Sequence, residues 1–287
     1  MWMIPDCLAC LYNQMLRTSK AMHCDDECAT RIMEAAAGKI AHLPMQQTPP
    51  EAAAILYPIA AAIAGTDDPY KTLKRDAVAK AGALIPGVVA MIESSRDPLD
   101  AALRAAVAGN VIDYATQVQF SLEEELARIF NAPFAVDDKA LFLEKLNDSK
   151  SLLVIGDNVG EHLFDKVMLE TIRRYYPDLK IYYMVRGKPI INDVTMEEAM
   201  EAGLQDVAIL VDSGVDTPGF LPERASETAR EIYQSADLIL AKGMGNYECM
   251  ESFADERVMF LLKIKCSVVA EKIGKEIGDL VAMMSRK

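Results

Sequence analysis

The residues best able to do chemistry stand at the ends of short apolar runs. Residues 152–155 lead into Gly156-Asp157-Asn158, residues 181–185 into Arg186 with Asn192-Asp193 close behind, and residues 207–211 into Asp212-Ser213-Gly214. Residues 238–241 lead into Lys242-Gly243 with Asn246 beyond, and residues 258–262 are followed by Lys263 and Lys265. Asp157, Asn158 and Asp193 offer hard oxygen donors of the kind magnesium and manganese accept. Lysines and an arginine beside them offer charge to an anion, so the pattern is that of a site for an anion together with a cation. His23, His42 and His162 are the only histidines, which argues against a histidine-rich zinc centre.

Each of these residues also has an ordinary use. Asp157 suits a helix cap, Asp193 a loop or helix entry, and Glu161 a first-turn acid favoured by the helix dipole. The metal reading rests on two such carboxylates falling at neighbouring run ends, with Asn158 beside one of them.

The elements that must position these residues change character along the chain. From Ser151 onward the apolar runs have strand length and are continuous, as in strands buried on both faces of a parallel sheet. Leu163, Phe164, Val167, Met168, Ile172 and Tyr175 form a helical stripe between the first two runs, and Thr195 with Glu198 makes a capping box. This βαβ series predicts an α/β/α Rossmann-like sandwich with a mainly parallel sheet over residues 148–287. In such sheets ligands bind outside the carboxyl ends of the strands. Residues 6 to about 145 read as helix throughout, rich in alanine and poor in β-branched runs, which predicts an all-helical subdomain over residues 1–147. Its breaks fall at residues 44–50, 65–69 and 94–98. Residues 101–114 form a further helix interrupted by Gly109-Asn110, with Asp113 one turn on, and Ser121 opens another with Glu124 as its capping partner.

Composition narrows the function. The 287 residues are 51% hydrophobic and 25% charged, an ordinary globular balance, and the net charge of −13 argues against nucleic acid as a partner. The apolar stretches 52–65 and 81–92 are short for a membrane span and carry Pro58 and Pro86. The first residues lack a signal-peptide pattern, so a cytoplasmic location is expected. Cys7, Cys10, Cys24 and Cys28 crowd the start of the chain. They are enough for a structural metal, or else are apolar positions of a helix. No P-loop, full dinucleotide fingerprint, aspartyl-phosphate Asp pair or nucleophile elbow occurs.

The run Gly156-Asp157-Asn158-Val159-Gly160-Glu161 with Arg186-Gly187-Lys188-Pro189-Ile190-Ile191-Asn192-Asp193 resembles the family called domain of unknown function 89. Its members are metal-dependent damage-control phosphatases. Asp68-Pro69-Tyr70 with Lys74, the segment from Ala108 to Asp113, Asp212-Ser213-Gly214, and the segment from Ala241 to Glu248 match further motifs in order. Cys7 and Cys10 resemble the prokaryotic stand-alone subgroup. The resemblance implies a divalent metal on Asp157, Asn158 and Asp193, with magnesium, manganese, cobalt or nickel as the ion. It implies that Lys242 meets the substrate phosphate and that Asn110 reaches the site from the helical half. Glu161 is expected to orient a water and Asp157 to share in catalysis, while Arg186, Ser213 and Asn246 are expected to contact a small phosphorylated metabolite such as a sugar phosphate or a phosphopantetheine-like ester. Two other readings stay open: a carboxyl methyltransferase, against which stands the lack of a glycine-rich turn after the first strand, and a non-enzymatic metabolite-binding protein.

Overall fold

The computed structural model describes residues 1–107, 124, 127 and 130–286. Three helices open the chain. α1 (Pro5–Ala21) starts on a proline whose missing N–H costs nothing there, and the Asp25 side chain caps α2 (Asp26–Ile40) by accepting from the Cys28 N–H at 2.9 Å. Thr48 and Glu51 form the capping box of α3 (Pro49–Ala64), which Gly65 ends at φ +69°. Leu11, Met15, Ile32 and Leu56 fill the space between these three helices.

α4 (Lys71–Ser94) and α5 (Pro98–Ala106) follow. α4 is long and apolar enough to span a membrane by length and composition, which the stretch 81–92 read from sequence was not. It turns Ala77, Ala81, Leu84, Val88 and Ile92 inward on one face and packs on α5 and on α7 (Glu161–Tyr175).

The sheet has the order β1-β7-β6-β5-β2-β3-β4. Its strands are β1 (Phe134–Asp137), β2 (Ser151–Ile155), β3 (Lys180–Val185), β4 (Ile209–Asp212), β5 (Leu238–Lys242), β6 (Val258–Lys263) and β7 (Leu280–Met284). Every pairing is parallel except β6 with β7. Further helices are α6 (Lys139–Asp148), α8 (Met196–Glu201), α9 (Glu227–Ser235), α10 (Gly243–Met250) and α11 (Ser267–Ile273). The fold is thus a helical portion joined to a layered, mainly parallel α/β sandwich.

Two expectations need correction. Residues 6 to 145 are not helical throughout, because β1 lies among them. Its four residues give too short a run to read, and β1 pairs with β7 from the far end of the chain. Nor does the core divide at residue 147: Ala101 to Val107 are buried in the same cluster as Leu152, Val154, Ile181 and Leu240. The first three helices keep their own cluster, while α4 and α5 cover the sheet. Asn110, Asp113 and Ser121 lie outside the described residues.

Candidate active site

The loops leaving β2 and β3 zip together at the carboxyl edge of the sheet. The Val194 N–H donates to the Asp157 carbonyl and the Val159 N–H to the Asn192 carbonyl, each at 2.8 Å, and Asn158 forms an antiparallel bridge with Asp193. Asp157, Asn158 and Asp193 are thereby brought to one place. They line a cavity of about 420 Å³ roofed by the start of α1 and of α3 and walled by α10 and the segment Lys265 to Val268.

The Asp157 carboxylate lies against the backbone where β5 becomes α10. Gly243 there has φ +76°, and a Cβ on it would stand 1.9 Å from Asp157 Oδ2, so glycine is required twice over. Burial pushes the Asp157 carboxyl up to about 8, with Asp193 and Glu161 adding like charge. Asp193 is also raised by burial, against the pull of Arg186, whose Nε donates to Asp193 Oδ2 at 2.7 Å. Asn158 Nδ2 donates to Asp157 Oδ2 at 2.6 Å and to Glu161 Oε2 at 3.4 Å. Turning the amide over would set its oxygen against two carboxylates, so the orientation is fixed and Oδ1 remains as its free acceptor.

Behind this layer is a buried ion cluster. Lys242 is 0% exposed, and Nζ donates to Glu161 Oε1 at 2.6 Å, Asp165 Oδ1 at 2.5 Å and the Ala106 carbonyl at 2.7 Å. All three ammonium donors are used. Burial alone would lower the Lys242 pKa, but Asp165 and Glu161 outweigh it and raise it. Asp165 is lifted to about 6 by burial despite Lys242, and it also accepts from Tyr183 Oη at 2.8 Å.

The expected residues therefore part company. Asp157, Asn158 and Asp193 meet at the cavity. Lys242 and Glu161 do not line it; they bond to each other one layer back, so Lys242 has no donor to spare for a phosphate. Asn246 spends its amide on the protein: Oδ1 accepts from the Phe220 N–H at 2.8 Å and Arg186 Nη2 at 3.2 Å, while Nδ2 donates to the Lys242 carbonyl at 2.5 Å. Ser213 is fully buried and its hydroxyl accepts from the Val215 N–H at 3.3 Å. Arg186 backs Asp193, and its buried Nη1 has no partner among the described residues.

The cysteines also separate. Cys7 and Cys10 stand on the cavity wall near the start of α1, with Cys266 across from them, whereas Cys24 follows the end of α1 and Cys28 lies in the first turn of α2. The helix from Cys10 to Ala21 is about 16 Å long at 1.5 Å per residue, too far for four thiolates on one ion. Among the described residues no three His, Cys, Asp or Glu side chains form a metal-holding group.

Lys265 and Glu248 were named from the sequence without a place on the opposite wall being given to either. Lys265 is the only lysine or arginine lining the cavity among the described residues, and Glu248 lines it from α10. Lys265 had a visible signal, its place just past β6. Glu248 had its place at the end of the motif segment from Ala241, five residues after Gly243.

A carboxylate–amide cluster lining a cavity under a helical roof, at the carboxyl edge of a mainly parallel sheet, marks an α/β protein with a candidate ligand site where such sheets place them. The chain belongs to the damage-control phosphatase ARMT1-like domain family, whose model matches residues 3–281. It is 32% identical to the uncharacterized protein MJ0202 of Methanocaldococcus jannaschii, covering 97% of this chain and 94% of that one. It is 31% identical to the damage-control phosphatase PH1575 of Pyrococcus horikoshii, covering 98% and 97%. A crystal structure of a DUF89 family protein from that organism superimposes with a TM-score of 0.91 at 30% identity, covering all of both chains.

Proposed function

We propose that this protein is a divalent-metal-dependent phosphatase for phosphate monoesters of small metabolites, with Asp157, Asn158 and Asp193 holding the cation. One observation carries the reading: two nearly buried carboxylates, and an amide whose free acceptor is oxygen, meet in one cavity with too little positive charge. Lys265 through space and Arg186 on Asp193 do not offset burial at Asp157, which stays near 8. A hard cation would supply the missing charge. Two carboxylates and one amide oxygen also suit an ion that completes its shell with water or substrate oxygens, as magnesium and manganese do; cobalt and nickel are alternatives.

The bound cation would neutralise phosphate oxygens and polarise the transferring group. The protein's part is positioning. The Asn158 amide is held by Asp157 and Glu161, Glu161 by Lys242, and Asp193 by Arg186, so the donors do not reorganise when substrate enters. Lys265 brings an exposed ammonium to the same cavity. A volume of about 420 Å³ suits a small metabolite. The damage-control names of the Pyrococcus, Archaeoglobus fulgidus and Arabidopsis thaliana relatives support the same chemistry.

Phosphate release from a panel of metabolite monoesters tests this, with adenosylmethionine-dependent methyl transfer measured alongside. Chelation should abolish release and added manganese or magnesium restore it. Asp157→Asn and Asp193→Asn should each lower turnover at least about 100-fold. Full activity under chelation, or in both variants, or methyl transfer without phosphate release, would overturn the proposal.

A further inference from the structure

The wall of the cavity facing the carboxylate–amide cluster holds a second acidic group with a different character. Glu248 is 9% exposed and lines the cavity, yet its carboxylate has no hydrogen-bond donor and no ion pair among the described residues. A carboxylate this enclosed has little access to water, so without protein donors its lone pairs are open to whatever enters the cavity. The two cations facing it do not close the gap. The Met1 ammonium donates to the Glu248 backbone carbonyl at 2.5 Å and pairs with Glu251 at 3.5 Å, and Lys265 is exposed and acts on Glu248 only through space. Burial outweighs both and lifts the carboxyl to about 7.

Position adds a ruler. Gly243, against which Asp157 packs, and Glu248 are five residues apart on α10, about 7.5 Å along the axis at 1.5 Å per residue. A phosphoryl group at Asp157, Asn158 and Asp193 would place the far end of a short leaving group beside Glu248. Met244 and Gly245 line the cavity between them.

Resting on the phosphatase reading, we propose that Glu248 determines substrate specificity by accepting hydrogen bonds from a donor group, a hydroxyl or an ammonium, on the leaving-group portion of the phosphate ester. A charged acceptor with an unfilled valence discriminates strongly against a ligand that lacks the donor, since binding such a ligand leaves the carboxylate sealed and unpaired.

Three probe esters of similar length test the proposal: glycerol phosphate, ethanolamine phosphate and propyl phosphate. Both calorimetric binding in the presence of magnesium and kcat/KM are measured. The wild type should favour at least one donor-bearing ester over propyl phosphate by about 10- to 100-fold, with the favoured ester identifying hydroxyl or ammonium. Glu248→Leu should collapse that ratio toward one, and Glu248→Gln, which keeps size and an acceptor oxygen, should keep part of a hydroxyl preference. If Glu248→Leu does not fold, Glu248→Gln alone must lower the ratio. No preference in the wild type, or a wild-type ratio retained in a folded Glu248 variant, overturns the proposal. Because binding is read apart from turnover, a wild type that binds selectively but cleaves nothing counts against the phosphatase reading and not against Glu248.

Discussion

Two groups of charged side chains lie one layer apart at the carboxyl edge of the sheet, built from the same residue types and paired very differently. In the rear group Lys242, Glu161, Asp165 and Tyr183 are buried, and Nζ of Lys242 divides its three donors between two carboxylates and the Ala106 carbonyl. In the front group Asp157, Asp193, Glu248 and Lys265 share a cavity, and the Glu248 carboxylate meets no donor among the described residues. A buried ion cluster with its valences filled is fixed and inert toward ligands. A cavity whose acids are short of donors and counter-charge is completed by what binds there. Residue type does not separate the two roles; the state of pairing does.

The comparison breaks first if Lys242 belongs to the front. Lys242→Met strands Glu161 and Asp165 without their counter-charge and should cost about 3–5 kcal/mol of stability by urea unfolding. A loss under about 1 kcal/mol, combined with a fall in turnover equal to that of Asp157→Asn, would move Lys242 into the cavity group.

The rear layer should also show itself in acid. His162 is buried next to Glu161, its Nδ1 accepts from the Gly160 N–H at 2.9 Å, and burial lowers its pKa to about 4. The unfolded chain takes up this proton near pH 6.5 while the folded one refuses it until about 4. The His162 contribution is therefore complete above pH 6.5 and is lost as pH falls toward 4, roughly 3 kcal/mol in all. His162→Gln should flatten the acid limb of a stability–pH curve over that window; an unchanged limb would show that burial does not hold the ring below its unfolded pKa.

Gly243→Ala tests the joint between the layers. Its Cβ would press on Asp157 Oδ2 at a φ of +76°. We expect a loss of about 1–2 kcal/mol in stability and a drop in turnover on the order of 10-fold from the displaced carboxylate. Wild-type turnover with wild-type stability would mean that Asp157 does not need its present place.

The smallest effect belongs to the thiols of the front wall. Cys7→Ser with Cys10→Ser should leave turnover within about 3-fold, because phosphoryl transfer by a hard cation needs no thiol. It should lower stability by about 1 kcal/mol, since Cys7 is buried. A fall in turnover matching that of Asp193→Asn in a folded protein would make the thiols part of the chemistry.

Much of this molecule is written locally. The apolar runs became β2, β3, β5 and β6 nearly residue for residue, because a continuous strand-length run with punctuation at both ends can be satisfied only inside a sheet. The 207–211 run is later than read, β4 beginning at Ile209 after a turn at Leu204–Asp206. Asp157, Asn158 and Asp193 were legible because they directly follow β2 or sit in the loop after β3, and that edge is where such sheets place ligands. β1 was not legible, since its four residues make too short a run and its partner β7 lies far along the chain, and β7 itself was not read as a strand. Nor was the sorting of polar residues into front and rear. Lys242 is turned inward by partners 77, 81 and 136 residues away, and Glu248 faces a cavity whose other walls come from the start of α1 and the segment Lys265 to Val268. The sequence by itself determined which elements form and what chemistry arrives at their ends. Only tertiary packing decided which charges neutralise one another and which wait for a ligand, because burial and counter-charge come from residues that no local window contains.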